Sequence, residues 1–265
     1  MERQFDAVLT LMDSAQVFHF QNINGVYAAA VGGRVLTDRD DDPFARDYFD
    51  DERDYSHLLD ACGEFEIARR ALLMLPGLRV LNQPPWEALI QFILSANNNV
   101  KRIRTLVNDL CRHYGEEFEY DGVKLYGFPS PDTLSKLDEE KLRQNVTCGY
   151  RAKYLIGTAK MIKDGFPLDF LRFRPHEEAR KMLMTLPGVG GKVADCVLLF
   201  GLRHASSFPV DVWVERLMEN WFHISSSREK MRLEAIRILG SECGLIQQAL
   251  FHAARTGLID IENKG

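Results

Sequence analysis

An α+β chain is predicted, with an N-terminal antiparallel β-sheet domain followed by a larger, mostly helical one. Three observations predict it. Apolar runs of strand length in the first forty residues are separated by Asn24-Gly25 and Gly32-Gly33. Near Pro84 the apolar pattern changes to a 3.6-residue period. A glycine-rich reversal, Leu186-Pro187-Gly188-Val189-Gly190-Gly191-Lys192, is set between two apolar stripes of helical spacing. The chain has 265 residues, which at roughly 100–200 residues per domain fits one large unit or two modest ones. The expected domains are 1–84 and 85–265, with the reversal near 175–201.

The strands are read at Val17-Phe18-His19-Phe20, Val26-Tyr27-Ala28-Ala29-Ala30-Val31 and Arg34-Val35-Leu36-Thr37. Both dipeptides between them supply the positive φ angles of two-residue hairpins, so the sheet is an antiparallel meander. The acidic stretch that follows contains Pro43 and little periodicity, and reads as a solvated loop. Pro84-Pro85 then opens a helix with the stripe Leu89, Phe92, Ile93, Ala96. Asn97-Asn98-Asn99, poor helix formers and good turn residues, interrupts it. Ile103, Leu106, Val107 and Leu110 form the next stripe, with Gly115 as its cap. Pro175, Glu177 and Glu178 start a helix carrying Ala179, Met182, Leu183 and Leu186, which Pro187 stops. Another begins near Gly191 with Val193, Val197 and Phe200 buried, and Val214, Leu217, Met218 and Trp221 mark one more.

Composition excludes several classes. Apolar residues are 46% and charged residues 27%, close to the averages of about 45–50% and 25% for a soluble globular chain. No apolar run approaches the ~20 residues of a membrane span, and Met1-Glu2-Arg3-Gln4 has no apolar signal segment behind it, so no membrane partner and a cytoplasmic location are expected. Five scattered cysteines form no C-x-x-C pair, which disfavours a zinc site or disulfide framework. The net charge of −5 speaks against nucleic acid only until it is located. Asp38–Asp54 holds nine acids against three arginines, −6 by itself, leaving +1 for the rest of the chain.

Bare glycine amides at a helix N-terminus, under the positive end of its dipole, form a site for a phosphate oxygen without any basic side chain. Gly188, Gly190 and Gly191 fit this description, and the tight reversal asks them for positive φ. A P-loop needs Gly five residues before Gly-Lys and Ser or Thr after it, whereas Leu186 and Val193 stand there; a dinucleotide fold needs a preceding strand. From spacing alone, a plain helical hairpin with glycines for close packing fits equally well.

The run Leu-Pro-Gly-Val-Gly-Gly-Lys-Val-Ala-Asp-Cys-Val, followed by Pro209-Val210-Asp211-Val212, resembles the signature of the helix-hairpin-helix DNA glycosylases, and more closely the eukaryotic-type 8-oxoguanine DNA glycosylases. Ser95-Ala96-Asn97-Asn98-Asn99, Gly149-Tyr150-Arg151-Ala152-Lys153-Tyr154 and Gln247-Gln248-Ala249-Leu250-Phe251 have counterparts in the same order, so the resemblance covers nearly the whole chain. It implies a helical body in two lobes with double-stranded DNA bound across the cleft, a monomer, and base excision repair of 8-oxoguanine. It implies that Lys192 attacks C1′ of the damaged nucleotide, forms a Schiff base and permits β-elimination, with Asp211 stabilising positive charge on the sugar. A neutral amine is required, and moving a lysine from about 10.4 to about 7–8 costs roughly 3–5 kcal/mol. Most first-turn lysines are merely solvated, and an aspartate at position 211 also suits an N-cap.

By the same resemblance Cys196, one helical turn from Lys192, and Phe251 cover the two faces of an extruded base, and Gln247 bonds its Watson–Crick edge. Without it, a lone cysteine and ordinary helix residues are the plain reading. Asn97 enters the vacated stack, Tyr150 wedges beside the estranged base, and Arg102 and Arg151 donate to a cytosine. Three positions depart from the family. Ala15 stands where a glycine carbonyl accepts from N7–H, Trp213 replaces a frequent His, and Ala254 replaces an acid. The absent basic tail points to a prokaryotic member, nucleoid-associated.

No cofactor is required. The family often holds a structural cation, monovalent or divalent, at the hairpin carbonyls. An endonuclease III-like enzyme would carry four clustered C-terminal cysteines, and with only Cys243 in the last sixty residues no iron–sulfur cluster is expected. An alkylbase glycosylase would lack Lys192. A glycosylase for another oxidised base, or a non-catalytic DNA-binding scaffold, are the alternatives.

Overall fold

In the computed structural model, which describes residues 5–260, β1 (Gln21–Ile23), β2 (Val26–Val31) and β3 (Arg34–Thr37) form an antiparallel meander in the order β1-β2-β3. Its register pairs Asn22 with Tyr27 and Ala29 with Leu36. Asn24-Gly25 and Gly32-Gly33 all adopt positive φ, between +52° and +82°, as the hairpins require. Residues 1–4 and 261–265, which close the two expected domains and include the Met1–Gln4 reading, lie outside the described residues.

The first strand is displaced from the expected 17–20. That segment is buried, but side-chain amides take the place of a strand partner: Phe18 N–H donates to Gln91 Oε1 at 3.1 Å and its carbonyl accepts from Asn108 at 3.3 Å. The acidic stretch is also not wholly a loop. It contains α1 (Pro43–Tyr48), capped by the Asp42 side chain on the Phe44 and Ala45 amides, with Ala45, Tyr48 and Phe49 in the core. A single helical turn and a half is too short for periodicity to show through so many charges.

The body follows as α2 (Leu58–Ala61), α3 (Glu66–Met74), α4 (Pro85–Ser95), α5 (Val100–Tyr114), α6 (Pro131–Ser135), α7 (Glu139–Val146), α8 (Arg151–Lys163), α9 (His176–Leu183), α10 (Gly191–Phe200), α11 (Val212–Asn220), α12 (Arg228–Leu239) and α13 (Cys243–Thr256). In α4 every residue from Glu87 to Ser95 is buried, and α10 and α13 are nearly as enclosed, so these three helices form the centre. A second hairpin, β4 (Glu117–Tyr120) with β5 (Val123–Tyr126), was not anticipated, although Asp121-Gly122 and the alternation around it carry the signal. Its Leu125 packs with Ile23, Ala28 and Ala30 of the meander, while α2 and α3 pack into the helical body. Packing therefore crosses residue 84 in both directions. Gly115 caps α5 without a left-handed φ; it is glycine because a Cβ would lie 1.7 Å from the Gly127 carbonyl.

Candidate functional site

The reversal between α9 and α10 is built as follows. α9 ends at Leu183, before Leu186 and Pro187, and the chain turns on Gly188 at φ +80°. Gly190 and Gly191, expected to share that conformation, do not. Each glycine has its own reason. A Cβ on Gly188 would stand 2.8 Å from Tyr154, one on Gly191 would stand 2.6 Å from the Arg180 guanidinium, and one on Gly190 would meet nothing within 4 Å. Gly190 caps α10 with no side-chain partner, which leaves the first amides of α10 unshielded. Beneath them Arg180 bridges Asp195 at 2.8 Å and Glu229 at 2.8 Å, and Arg232 bridges Glu229 and Glu177. Burial pushes the Asp195 carboxyl up to about 7, against the opposing pull of the Arg180 guanidinium.

Lys192 is half-buried in the first turn of α10. Its Nζ lies 3.5 Å from Ser95 Oγ and 5.2 Å from the centre of the Phe92 ring, both on α4. It opens into a small pocket that Asp211, Cys196, Gln247, Phe251 and Ala15 also line. All six residues assigned to catalysis and base binding thus meet at one place. Asp211 accepts from the Trp213 and Val214 amides at 3.0 Å each, capping α11 while facing the same pocket as Lys192. Burial pushes the Cys196 thiol up to about 11, against the pull of Lys192. Gln247 donates to the Pro209 carbonyl at 3.0 Å, and its Oε1 is buried without a partner. Ala15 takes φ +58°. A wider opening, shared by Lys192 and Asp211, leads outward past Asn98, Asn99 and Trp213.

The remaining expected residues form a patch beside this opening rather than inside the pocket. Asn97, exposed at φ +51°, is the turn between α4 and α5, and Asn99 caps α5. Arg151 donates to the Ala96 carbonyl at 3.1 Å and to the Asn97 carbonyl at 3.2 Å. Its guanidinium covers the Tyr150 ring at 4.6 Å. Arg102 reaches the Thr147 hydroxyl at 2.7 Å. Tyr150 touches Tyr154 edge-on, and Tyr154 supports Gly188. Pocket, patch and hairpin are therefore one continuous surface.

Residues 90–239, which hold the pocket lysine, the hairpin and the capping aspartate, match the model of the HhH-GPD superfamily of base excision DNA repair proteins. The chain belongs to that superfamily. It is 40% identical over 169 residues to the N-glycosylase/DNA lyase of Saccharomyces cerevisiae, covering 59% of this chain and 45% of the yeast protein. It is 32% identical over 210 residues to a probable N-glycosylase/DNA lyase of Methanothermobacter thermautotrophicus, covering 71% of this chain and 67% of the relative. The match thus spans less than half of the yeast relative. Among solved structures, the Clostridium acetobutylicum 8-oxoguanine glycosylase/lyase, in complex with double-stranded DNA containing cytosine opposite 8-oxoguanine, superposes with a TM-score of 0.89 at 30% identity. That superposition covers 96% of this chain and 93% of the other.

In this member of the HhH-GPD superfamily, four contributors escaped the sequence reading. Ser95 and Phe92 meet Lys192 across helices, and no local spacing announces them. Asp195, an acid in the otherwise apolar run Val193–Phe200, was the legible sign of the buried Arg180 pair. Gln248, beside Gln247, is 2% exposed and faces the Ala15 turn. Among the described residues no helix is long and apolar enough to cross a membrane.

Proposed function

We propose that the protein removes 8-oxoguanine from duplex DNA, preferentially opposite cytosine, and cleaves the strand at the abasic site it creates. The observation that carries this reading is the convergence of Lys192 and Asp211 on one pocket closed by Cys196 and Phe251. Lys192 Nζ bonds to C1′ as the C1′–N9 bond breaks and the base leaves with the bonding electrons, taking up a proton. The amine passes one proton to the ring oxygen as the C1′–O4′ bond opens to a protonated Schiff base, abstraction of a C2′ proton expels the 3′ phosphate, and water hydrolyses the imine to free Lys192. The Asp211 carboxylate, fixed by two amides, faces the positive charge that develops on the sugar.

Cys196 and Phe251 take the two faces of the base. The partnerless Gln247 Oε1 accepts from the N–H groups of guanine's Watson–Crick edge, and the Ala15 carbonyl accepts the N7–H that guanine lacks. Asn97 fills the vacated stack and Tyr150 supports the estranged base. Arg102 and Arg151, on the same patch, donate to cytosine. The amides of the Gly188–Gly191 hairpin grip a backbone phosphate. A monomer suffices, and no cofactor enters a step. A structural cation at the hairpin fits the donors left there. Thr158 takes the Pro187 carbonyl, and among the described residues no donor meets the Gly188 or Val189 carbonyl; such hard oxygens suit a hard cation.

Duplexes carrying 8-oxoguanine opposite each of the four bases, incubated with borohydride, test the reading. A trapped covalent complex is expected, strongest opposite cytosine and absent in Lys192→Gln. Equal excision opposite all four bases would remove Arg102 and Arg151 from selection, and base release without trapping would remove Lys192 from the chemistry.

A further inference from the structure

The turn that carries Ala15 into the pocket is held by three side chains on three successive carbonyls. Arg104 of α5 donates to the Met12 carbonyl at 2.7 Å, Arg255 of α13 to the Asp13 carbonyl, and Gln248 of α13 to the Ser14 carbonyl at 2.8 Å. Gln248 and Arg255 are seven residues apart, two turns along one helix face. The Ser14 hydroxyl adds a bond to the Thr10 carbonyl at 2.6 Å and accepts from Gln16 at 2.9 Å. Immediately after this grip the chain enters the left-handed region at Ala15, which a residue with a Cβ avoids. Among the described residues no donor meets the Ala15 carbonyl. A glycine would reach this conformation freely, and an alanine reaches it because its neighbours are fixed.

We propose that Gln248, Arg255 and Arg104 are positioning residues for base selection, locking residues 12–14 so that the Ala15 carbonyl meets the damaged base as a fixed acceptor. The inference rests on the glycosylase reading above and deepens it. Gln248 lines the Lys192 pocket and Arg255 the opening beside it, but the hydrogen bonds of all three go to the turn and, among the described residues, none goes to Lys192. Their expected effect therefore falls on the step in which a base must be read.

An abasic site offers no base to read, so the comparison of two substrates isolates that step. Single-turnover excision of 8-oxoguanine and strand cleavage at a preformed abasic site are measured side by side. Gln248→Met keeps the shape and removes the donor; it is expected to lower excision about tenfold more than abasic cleavage, the usual consequence of one buried carbonyl left unpaired. Arg104→Met, half-buried and outside the pocket, is expected to shift the same ratio in the same direction by about threefold. Equal losses on both substrates, or an unchanged ratio in either folded variant, would overturn the proposal. Wild-type protein that cleaves abasic DNA but leaves 8-oxoguanine in place would overturn the functional reading itself, a result distinguishable from the failure of the clasp.

Discussion

Asp211 ends one helix and faces one amine, and the two duties call for different substitutions. Asparagine is as good an N-cap as aspartate, whereas alanine is not. Asp211→Asn is therefore expected to leave the melting temperature nearly unchanged while lowering single-turnover excision about a hundredfold or more, the scale of losing a preorganised charge at a developing cation. Asp211→Ala is expected to lose the same activity and about 1 kcal/mol of stability besides, read from denaturant unfolding. Matching activity in the wild type and the asparagine variant would reduce Asp211 to a cap. At this scale the sequence brought Lys192 and Cys196 together only through the family resemblance, since by residue type a first-turn lysine reads as solvated and a lone cysteine as core. It was silent on Ser95, Phe92 and Gln248, because their roles arise from contacts between helices distant in the chain.

The sheet meets the helical body through α4. Glu87 Oε1 accepts from the Gly32 amide at the β2–β3 turn at 2.8 Å, and Oε2 is buried without a partner. Burial pushes the Glu87 carboxyl up to about 7 and lowers the buried His19 imidazole to about 4. The signs oppose. Glu87 holds a proton in the folded state that the unfolded chain has lost, so its contribution falls as pH rises from about 4.5 to 7. His19 stays neutral where the unfolded chain is protonated, so its contribution is lost as pH falls from about 6.5 to 4. Each amounts to roughly 3 kcal/mol at 1.36 per unit, and between about 4.5 and 6.5 they offset. Glu87→Gln is expected to expose the histidine slope alone: unfolding free energy rising from about pH 4 to 6.5 and level above it, checked by urea titrations across that range. The meander was readable because its turns are short and local, and α1 was hidden because its helical signal is only six residues long.

The whole molecule carries −5 with −6 of it in one segment, so the proposed binding of DNA depends on where that segment sits. Asp47 pairs with Arg203 at 2.5 Å, just beyond the C-terminal end of α10, and Arg53 pairs with Glu242 at the start of α13. The hairpin amides proposed to grip a phosphate are at the other end of α10. Ten residues of helix separate the two ends, about 15 Å at 1.5 Å per residue, against a screening length of about 8 Å at physiological salt. Part of the charge is also neutralised in place by Arg34, from outside the segment, on Asp42. Replacing Asp41, Glu52 and Asp54 by their amides leaves the α1 cap at Asp42 intact. The triple variant is expected to bind undamaged duplex severalfold more tightly at low salt, to converge with the wild type near 0.15 M as screening takes over, and to excise at an unchanged rate when DNA is saturating. Loss of excision at saturation would place the segment in the active cleft, against the length of α10.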